Sequence, residues 1–451
     1  MNKINKNFLK MALALVIPLS LQNLINVGVT SADVIMLGNL NETALSGASL
    51  GGQINFIMTL IFFGITSGAS VLTAQYWGKK DTNSIEQILG VSLRLGLIVS
   101  ITFTIITFCI PETLMSLFSS DNDVIVEGSK YLRIVCFSYI FSSISLVYLN
   151  IMRSVEKVKI STAIYSISLL INIIFNYMFI YGKLFFPALG VQGAAISTVM
   201  ARVFEVIAII FYSHFRNKHI KVRFKYLFKV NHLLFKDFIK YSIPVTINEL
   251  LWGLGTSVNA AIIGQLGSAA AAANSVAQVT RQLATVVSFG FASAAAIMIG
   301  KAIGANDLKK ANEYGHSFGI ISIITGIAAS IIVLIVRPIA LHGMNLSDLS
   351  KGYLSIMMFV MSYFVLCQSF NTTMVVGIFR AGGDTKFGLF IDATFMWCFS
   401  ILLGAIAAFC LKWSVPIVYI ILLSDEVVKI PIVLYRFKSY KWLNDVTRIS
   451  N

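Results

Sequence analysis

The chain of 451 residues is 57% hydrophobic and 12% charged, with a mean hydropathy of +0.81. This composition excludes a water-soluble core of that size and places the protein in a lipid bilayer. A formal charge of +15 bears on membrane orientation rather than on nucleic acid, because the basic residues gather at alternate ends of successive apolar stretches.

Twelve stretches are long enough to span. They lie at about 9–38, 47–75, 86–110, 130–152, 160–182, 190–214, 238–266, 272–300, 313–338, 350–379, 387–410 and 414–436. Several exceed the roughly 20 residues that a crossing needs, so tilt or projection into water is expected. Lys3, Lys6 and Lys10 before the first stretch imitate a signal peptide. The run continues past Pro18 to Gly38 with no small-x-small cleavage pattern, and it reads as an uncleaved first helix.

The second six stretches repeat the first six. Shifted by 226 residues without a gap, positions 17–81 and 243–307 are identical at 16 of 65 places. Chance in so apolar a chain gives roughly five. The pairs include Pro18/Pro244, Thr30/Thr256, Ser31/Ser257, Gly38/Gly264, Gly64/Gly290, Gly78/Gly304 and Asp81/Asp307. At an offset of 227, Arg153 matches Arg380 and Lys159 matches Lys386. Many secondary transporters are built from such duplicated membrane halves, with the pathway between them. Six helices per half, an even number, make the repeat parallel, related by a pseudo-two-fold axis along the membrane normal. The expected organisation is an N-terminal half at 1–214, a basic linker at 215–237, a C-terminal half at 238–436 and a tail at 437–451.

With the N-terminus inside, the cytoplasmic segments hold 25 of the 35 Lys and Arg residues, and the outer loops five. Both termini are therefore predicted to be cytoplasmic. The linker cluster, which includes Arg216, Lys218, Lys221, Arg223, Lys225 and Lys229, should also touch anionic lipid. The five cysteines stand singly with no CxxC, and the five histidines, His219 among them, fall in loops or at helix ends. No GxGxxG, Walker A, HExxH or GxSxG arrangement occurs. ATP-driven pumping is unsupported, no cofactor is expected, and energy should come from an ion gradient or from the substrate's own. A polytopic membrane enzyme would want an acid/base or metal set at one interface, which the scattered histidines do not supply.

Six segments carry a family resemblance. Pro18-Leu19-Ser20 through Ala32-Asp33-Val34-Ile35-Met36-Leu37-Gly38 resembles the opening helix of the multidrug and toxic-compound extrusion (MATE) family, within the wider MOP flippase superfamily. Gln75-Tyr76-Trp77-Gly78 and Gly300-Lys301-Ala302-Ile303-Gly304-Ala305-Asn306-Asp307 resemble the family's turns after helices 2 and 8. Arg380-Ala381-Gly382-Gly383-Asp384-Thr385-Lys386 resembles its helix 10–11 turn, and Asn172-xxx-Asn176-Tyr177 and Gly193-Ala194-Ala195-Ile196-Ser197-Thr198 match helices 5 and 6. The resemblance implies an antiporter in a bacterial-type plasma membrane. It would export amphipathic organic cations and drugs in exchange for Na+ or H+, with no nucleic-acid partner and as a monomer. A lipid-linked saccharide flippase of the same superfamily is the alternative. Its cleft would be expected to carry cations for pyrophosphate, where this chain offers Asp33, Glu249 and Asp392, with Arg94 and Arg281 of unknown facing.

Ionisable residues at membrane depth are costly unless they face partners or water, so they should mark the mechanism. Asp33 lies about 8 Å inside the outer end of helix 1, and Thr198 about 12 Å inside helix 6, at ~1.5 Å per residue. Asn172 and Asn176 share one face of helix 5. A carboxylate, two amide oxygens and a hydroxyl are hard ligands suited to sodium, and the same carboxylate could instead carry a proton. The resemblance makes Asp33 the coupling residue, although one branch of the family has a second acid where this chain has Asn176. In the second half, Glu249 on helix 7 and Asp392 on helix 11 sit where Asn23 and Tyr165 stand in the first. Some relatives carry the helix 7 acid three residues later, at the position of Trp252 here, on the same helix face. Tyr363, Gln368 and Asn371 on helix 10 are expected neighbours, so a substrate site is predicted from Glu249, Asp392, Trp252, Tyr363, Gln368 and Asn371. Aromatics such as Phe62, Phe63, Tyr139, Phe289 and Phe364 would suit an organic cation. Arg202 with Glu205, and Asp425 and Glu426 with Lys429, recur near the ends of both halves and read as architecture.

Overall fold

The computed structural model describes residues 6–183, 186–217, 220–223, 225–228, 231–343 and 346–448. Lys3 and, in the linker, Lys218, His219 and Lys229 lie outside them. Among the described residues there is no strand, and the protein is all-α. It opens with α1 (Lys6–Gly38), α2 (Glu42–Gly78) and α3 (Thr82–Cys109). Helix α4 is bent by 54° between Asn122–Val135 and Ser138–Ser154. The first six end with α5 (Val158–Tyr181) and α6 (Val191–Arg216). Then come α7 (His232–Gln265), α8 (Ser268–Gly304), α9 (Leu308–Gly343), α10 (Asp348–Phe379) and α11 (Thr385–Cys410). Helix α12 runs in three consecutive pieces, Val415–Leu423, Asp425–Val428 and Ile430–Lys438.

Every predicted span is therefore helical. By length and apolarity, nine of the described helices qualify as spans, and the bent α4 makes ten. Of the two that fall short, α12 is broken into pieces of at most nine residues, and α7 carries Lys236, Asp237, Lys240 and Glu249; the α12 pieces hold Asp425, Glu426, Lys429 and Arg436. Charge within a span needs a partner or a function.

The repeat reaches down to backbone detail. Asp81 caps α3 by accepting the Ser84 N–H at 3.0 Å, and Asp307 caps α9 by accepting the Lys310 N–H at 3.0 Å. The residue just before each cap region turns left-handed, Lys80 at φ 61° and Asn306 at φ 60°. Glu156 and Gly383, 227 apart, do the same at 66° and 76°. The second helix of each half is the most enclosed, with 61% of the apolar window of α2 and 72% of that of α8 buried, against 28% for α9. Small residues permit this. A Cβ on Gly304 would stand 1.8 Å from the Gln75 carbonyl oxygen, and one on Gly78 would stand 2.2 Å from that of Lys301.

Two compact units result, Met1–Ser20 with Ala74–Lys79 and Ile247–Asn451, and Leu21–Thr73 with Lys80–Thr246. Their boundaries fall inside α1, α2 and α7 rather than at the basic linker. The reason is local packing. Phe8 meets Tyr314 and Phe318, with ring centres 5.3 and 5.0 Å apart. Gln75 donates to the carbonyls of Ala381 and Asn444 and accepts the Val446 N–H at 2.8 Å. In the other unit, Gly64 and Gly68 lie directly against Thr246 and Ser242.

Candidate functional site

In the unit of residues 21–73 and 80–246, α1, α5 and α6 bring several polar side chains together. Asp33, half-buried on α1, accepts a hydrogen bond from the Nδ2 of Asn176 on α5. The same Nδ2 lies 3.4 Å from the Oδ1 of Asn172, one helical turn earlier, and both amides are buried. The Oδ1 of Asn176 is buried with no hydrogen-bond partner. Thr198 on α6 is half-buried, and its hydroxyl donates to the Ala194 carbonyl of its own helix at 3.0 Å. Among the described residues Asp33 forms no salt bridge. The Arg202 guanidinium on α6 acts on it electrostatically. That guanidinium binds Glu205 at 2.5 Å and lies 5.6 Å from the centre of the Tyr165 ring. Tyr165 in turn donates to Asn26 on α1 at 3.1 Å.

In the other unit the acids are capped. Glu249 on α7 accepts from Arg380 at 2.7 Å, and Arg380 is buried rather than reaching for water. Asp392 on α11 binds Lys429 at 3.2 Å and accepts from Asn248 at 3.1 Å. The Lys429 ammonium also meets Asp425 at 3.0 Å and Glu426 at 3.6 Å. Asn371 donates to the Glu426 carboxylate at 2.7 Å. A small cavity beside this cluster is lined by Asp392, Trp252 and Gln368 of the predicted set, together with Asn259, Asn274 and Arg281. Its water-accessible space of ≈ 50 Å³ holds about four waters at ~10–15 Å³ each. Glu249, Tyr363 and Asn371 are not among its lining residues. Phe62 and Tyr139, expected as lining aromatics, are fully buried core side chains.

Arg202, Tyr165, Lys429, Asp425 and Glu426 are the residues that sequence reasoning set aside or missed. The signal was present. Arg202 and Lys429 are 227 apart, as are Tyr165 and Asp392, the offset that relates Arg153 to Arg380. The cation thus recurs in both halves, while the acids around it stand at different positions.

A bundle of long apolar helices with ionisable groups held in its spans is the architecture of a multi-pass membrane protein. The MatE family model matches residues 18–178 and again 244–406, beginning at the two repeat prolines, and the chain belongs to that family. It is 22% identical over 417 residues to the uncharacterized transporter YisQ of Bacillus subtilis, covering 92% of this chain and 90% of the relative. It is 26% identical over 324 residues to a probable multidrug resistance protein NorM of Agrobacterium fabrum, covering 71% and 68%. Among solved structures, an outward-facing multidrug resistance MATE transporter of the MOP superfamily matches with a TM-score of 0.87 at 18% identity, over 96% of both chains. A MOP superfamily transporter from Pyrococcus furiosus matches with a TM-score of 0.86 at 18% identity, over 95% of both. The fold expected from the duplicated sequence is the fold of these transporters.

Proposed function

We propose that this transporter exports amphipathic organic cations in exchange for sodium ions or protons, and that Asp33 carries the coupling cation. The observation behind this reading is a carboxylate inside an apolar span whose partner is an amide, not a cation. Such a charge is costly until something neutralises it, which is what a coupling site requires. Asn172, Asn176 and Thr198 would complete the oxygen set. Turning the Asn176 amide by half a turn replaces a donor by its unpartnered oxygen, converting a site that holds a bare carboxylate into one that helps hold a cation. On the substrate side we assign Asp392, Trp252 and Gln368 to the cavity, with Asn371 steadying Glu426. Glu249 and Tyr363, expected there too, stand outside its lining.

Coupling follows if cation occupancy of Asp33 changes the affinity for substrate as the protein alternates between inward- and outward-open states. The test is dye transport in proteoliposomes with sodium and proton gradients imposed separately. One gradient should drive dye exchange in the wild type, and neither should do so in Asp33→Asn. Lipid scrambling without gradient-dependent dye exchange would replace this reading with a flippase.

A further inference from the structure

The cavity beside Lys429 has features of a site that is already filled. Lys429 is buried, and three carboxylates converge on its ammonium at 3.0, 3.2 and 3.6 Å. With Arg281 included, the lining holds three acids and two bases, a formal charge of −1 in an apolar span. Two amides of the lining have polar atoms without a partner. Asn274 lines the space while more than nine-tenths buried, and among the described residues its side chain has no hydrogen-bond partner. The Oδ1 of Asn259 is buried and unpartnered as well. Orphaned amides around a small wet space are expensive unless a ligand or water satisfies them.

We propose that this cavity is a subsite for a primary ammonium group, that Lys429 is its resting occupant, and that the ammonium head of a substrate binds by taking Asp392 from Lys429. The inference rests on the export of organic cations proposed above and names the chemical class within it. Room for only a few waters admits an –NH3+ head but not a trimethylammonium, whose methyl groups also cannot donate to Asp392 or to the Asn259 oxygen. Lys429 is therefore a specificity-determining competitor. In the first half the matching cation, Arg202, is engaged by Glu205, so competition of this kind is confined to the second.

The test is calorimetric binding of 4-phenylbutylammonium and its N,N,N-trimethyl analogue to the purified full-length protein. Wild type should prefer the primary amine. Lys429→Gln combined with Asp425→Asn removes one charge of each sign and uncaps Asp392, and should tighten primary-amine binding by about tenfold. Asp392→Asn in that background should cancel the gain. Lys429→Arg keeps the charge and adds a bidentate grip on Asp392, and should weaken binding several-fold. A purely structural lysine would move both variants in the same direction, and that result overturns the proposal, as does wild-type affinity in either folded variant. Equal binding of the two amines also overturns it. If Asp33→Asn abolishes efflux while the Lys429 variants bind normally, only this inference fails. If the wild type binds neither amine, the cation-export reading fails with it.

Discussion

The two halves hold the same kinds of charge in different arrangements. At one pair of equivalent positions each has a cation, Arg202 and Lys429, and at another the first half has Tyr165 where the second has Asp392. In the first half the acid sits instead on α1, as Asp33, and the equivalent position on α7 is Asn259. The consequence is geometric. Arg202 rests over a neutral ring and binds Glu205, leaving Asp33 to an amide, whereas Lys429 lands directly on Asp392. The placement of the acids decides whether a half presents an anion held only by an amide or a closed ion pair. A buried pair that is complete is nearly neutral for stability, and one that has lost a member is not. On this reasoning the first half suits exchange of a small cation and the second suits recognition.

The largest test of that contrast is Asp33→Asn. It keeps the size of the side chain and its contact with Asn176 but removes the charge, and gradient-driven dye efflux should fall to the rate of empty liposomes while the unfolding temperature stays near wild type. Efflux at the wild-type rate would transfer the coupling role to the second half and erase the contrast.

Next is Glu249→Gln. The glutamate pairs with buried Arg380, and removing the negative charge from that buried pair should destabilise the protein by about 3 kcal/mol. Thermal unfolding in detergent would register this, and transport of all substrates should fall together. Selective loss of some cations at unchanged stability would instead place Glu249 in contact with substrate.

A smaller effect is expected from Glu205→Gln, which weakens the hold on Arg202 and lets the guanidinium turn toward Asp33. The first half would then imitate the second. Its apparent affinity for the coupling ion should drop by about tenfold, equivalent to ~1.4 kcal/mol. Transport measured against coupling-ion concentration reads this directly, and an unchanged half-saturation would show that Glu205 does not keep Arg202 away from Asp33.

Much of this was legible in the sequence because periodicity and repetition are one-dimensional. The apolar runs place the twelve long helices, and the identity of Asp81 with Asp307 forecasts equivalent positions that prove to be the same helix cap. The meeting of Asp33 with Asn176 is also readable, since depth along two helices follows from residue counts. Which face each charge presents is not. Nothing in the helix 10–11 turn motif shows that Arg380 is buried on Glu249. Glu249 and Asp392, at similar depth, have different cations as partners. Such pairing depends on helix rotation and on the π-helical segment Thr394–Ile401 that follows Asp392, and local sequence encodes neither strongly.

The smallest effect should come from the exposed counterpart of these pairs. Asp445 in the C-terminal tail meets Lys79 at 3.1 Å, with 38% of the acid side chain and 28% of the lysine exposed. Partial burial pushes the Asp445 carboxyl up, but the Thr447 hydroxyl and N–H and the Lys79 ammonium outweigh it and hold it below the usual carboxylate range. A depressed acid contributes stability above its unfolded pKa of about 3.9, and loses it as pH falls through the lower folded value. Between pH 5 and 8 the contribution is therefore constant, and water and salt keep it small. Asp445→Asn should cost less than about 1 kcal/mol and leave transport unchanged. The difference from wild type should shrink on acidification below about pH 4 and on addition of salt. A loss as large as that of Glu249→Gln would mean that the tail, rather than the buried pairs, holds the ends of α2 and α10 together.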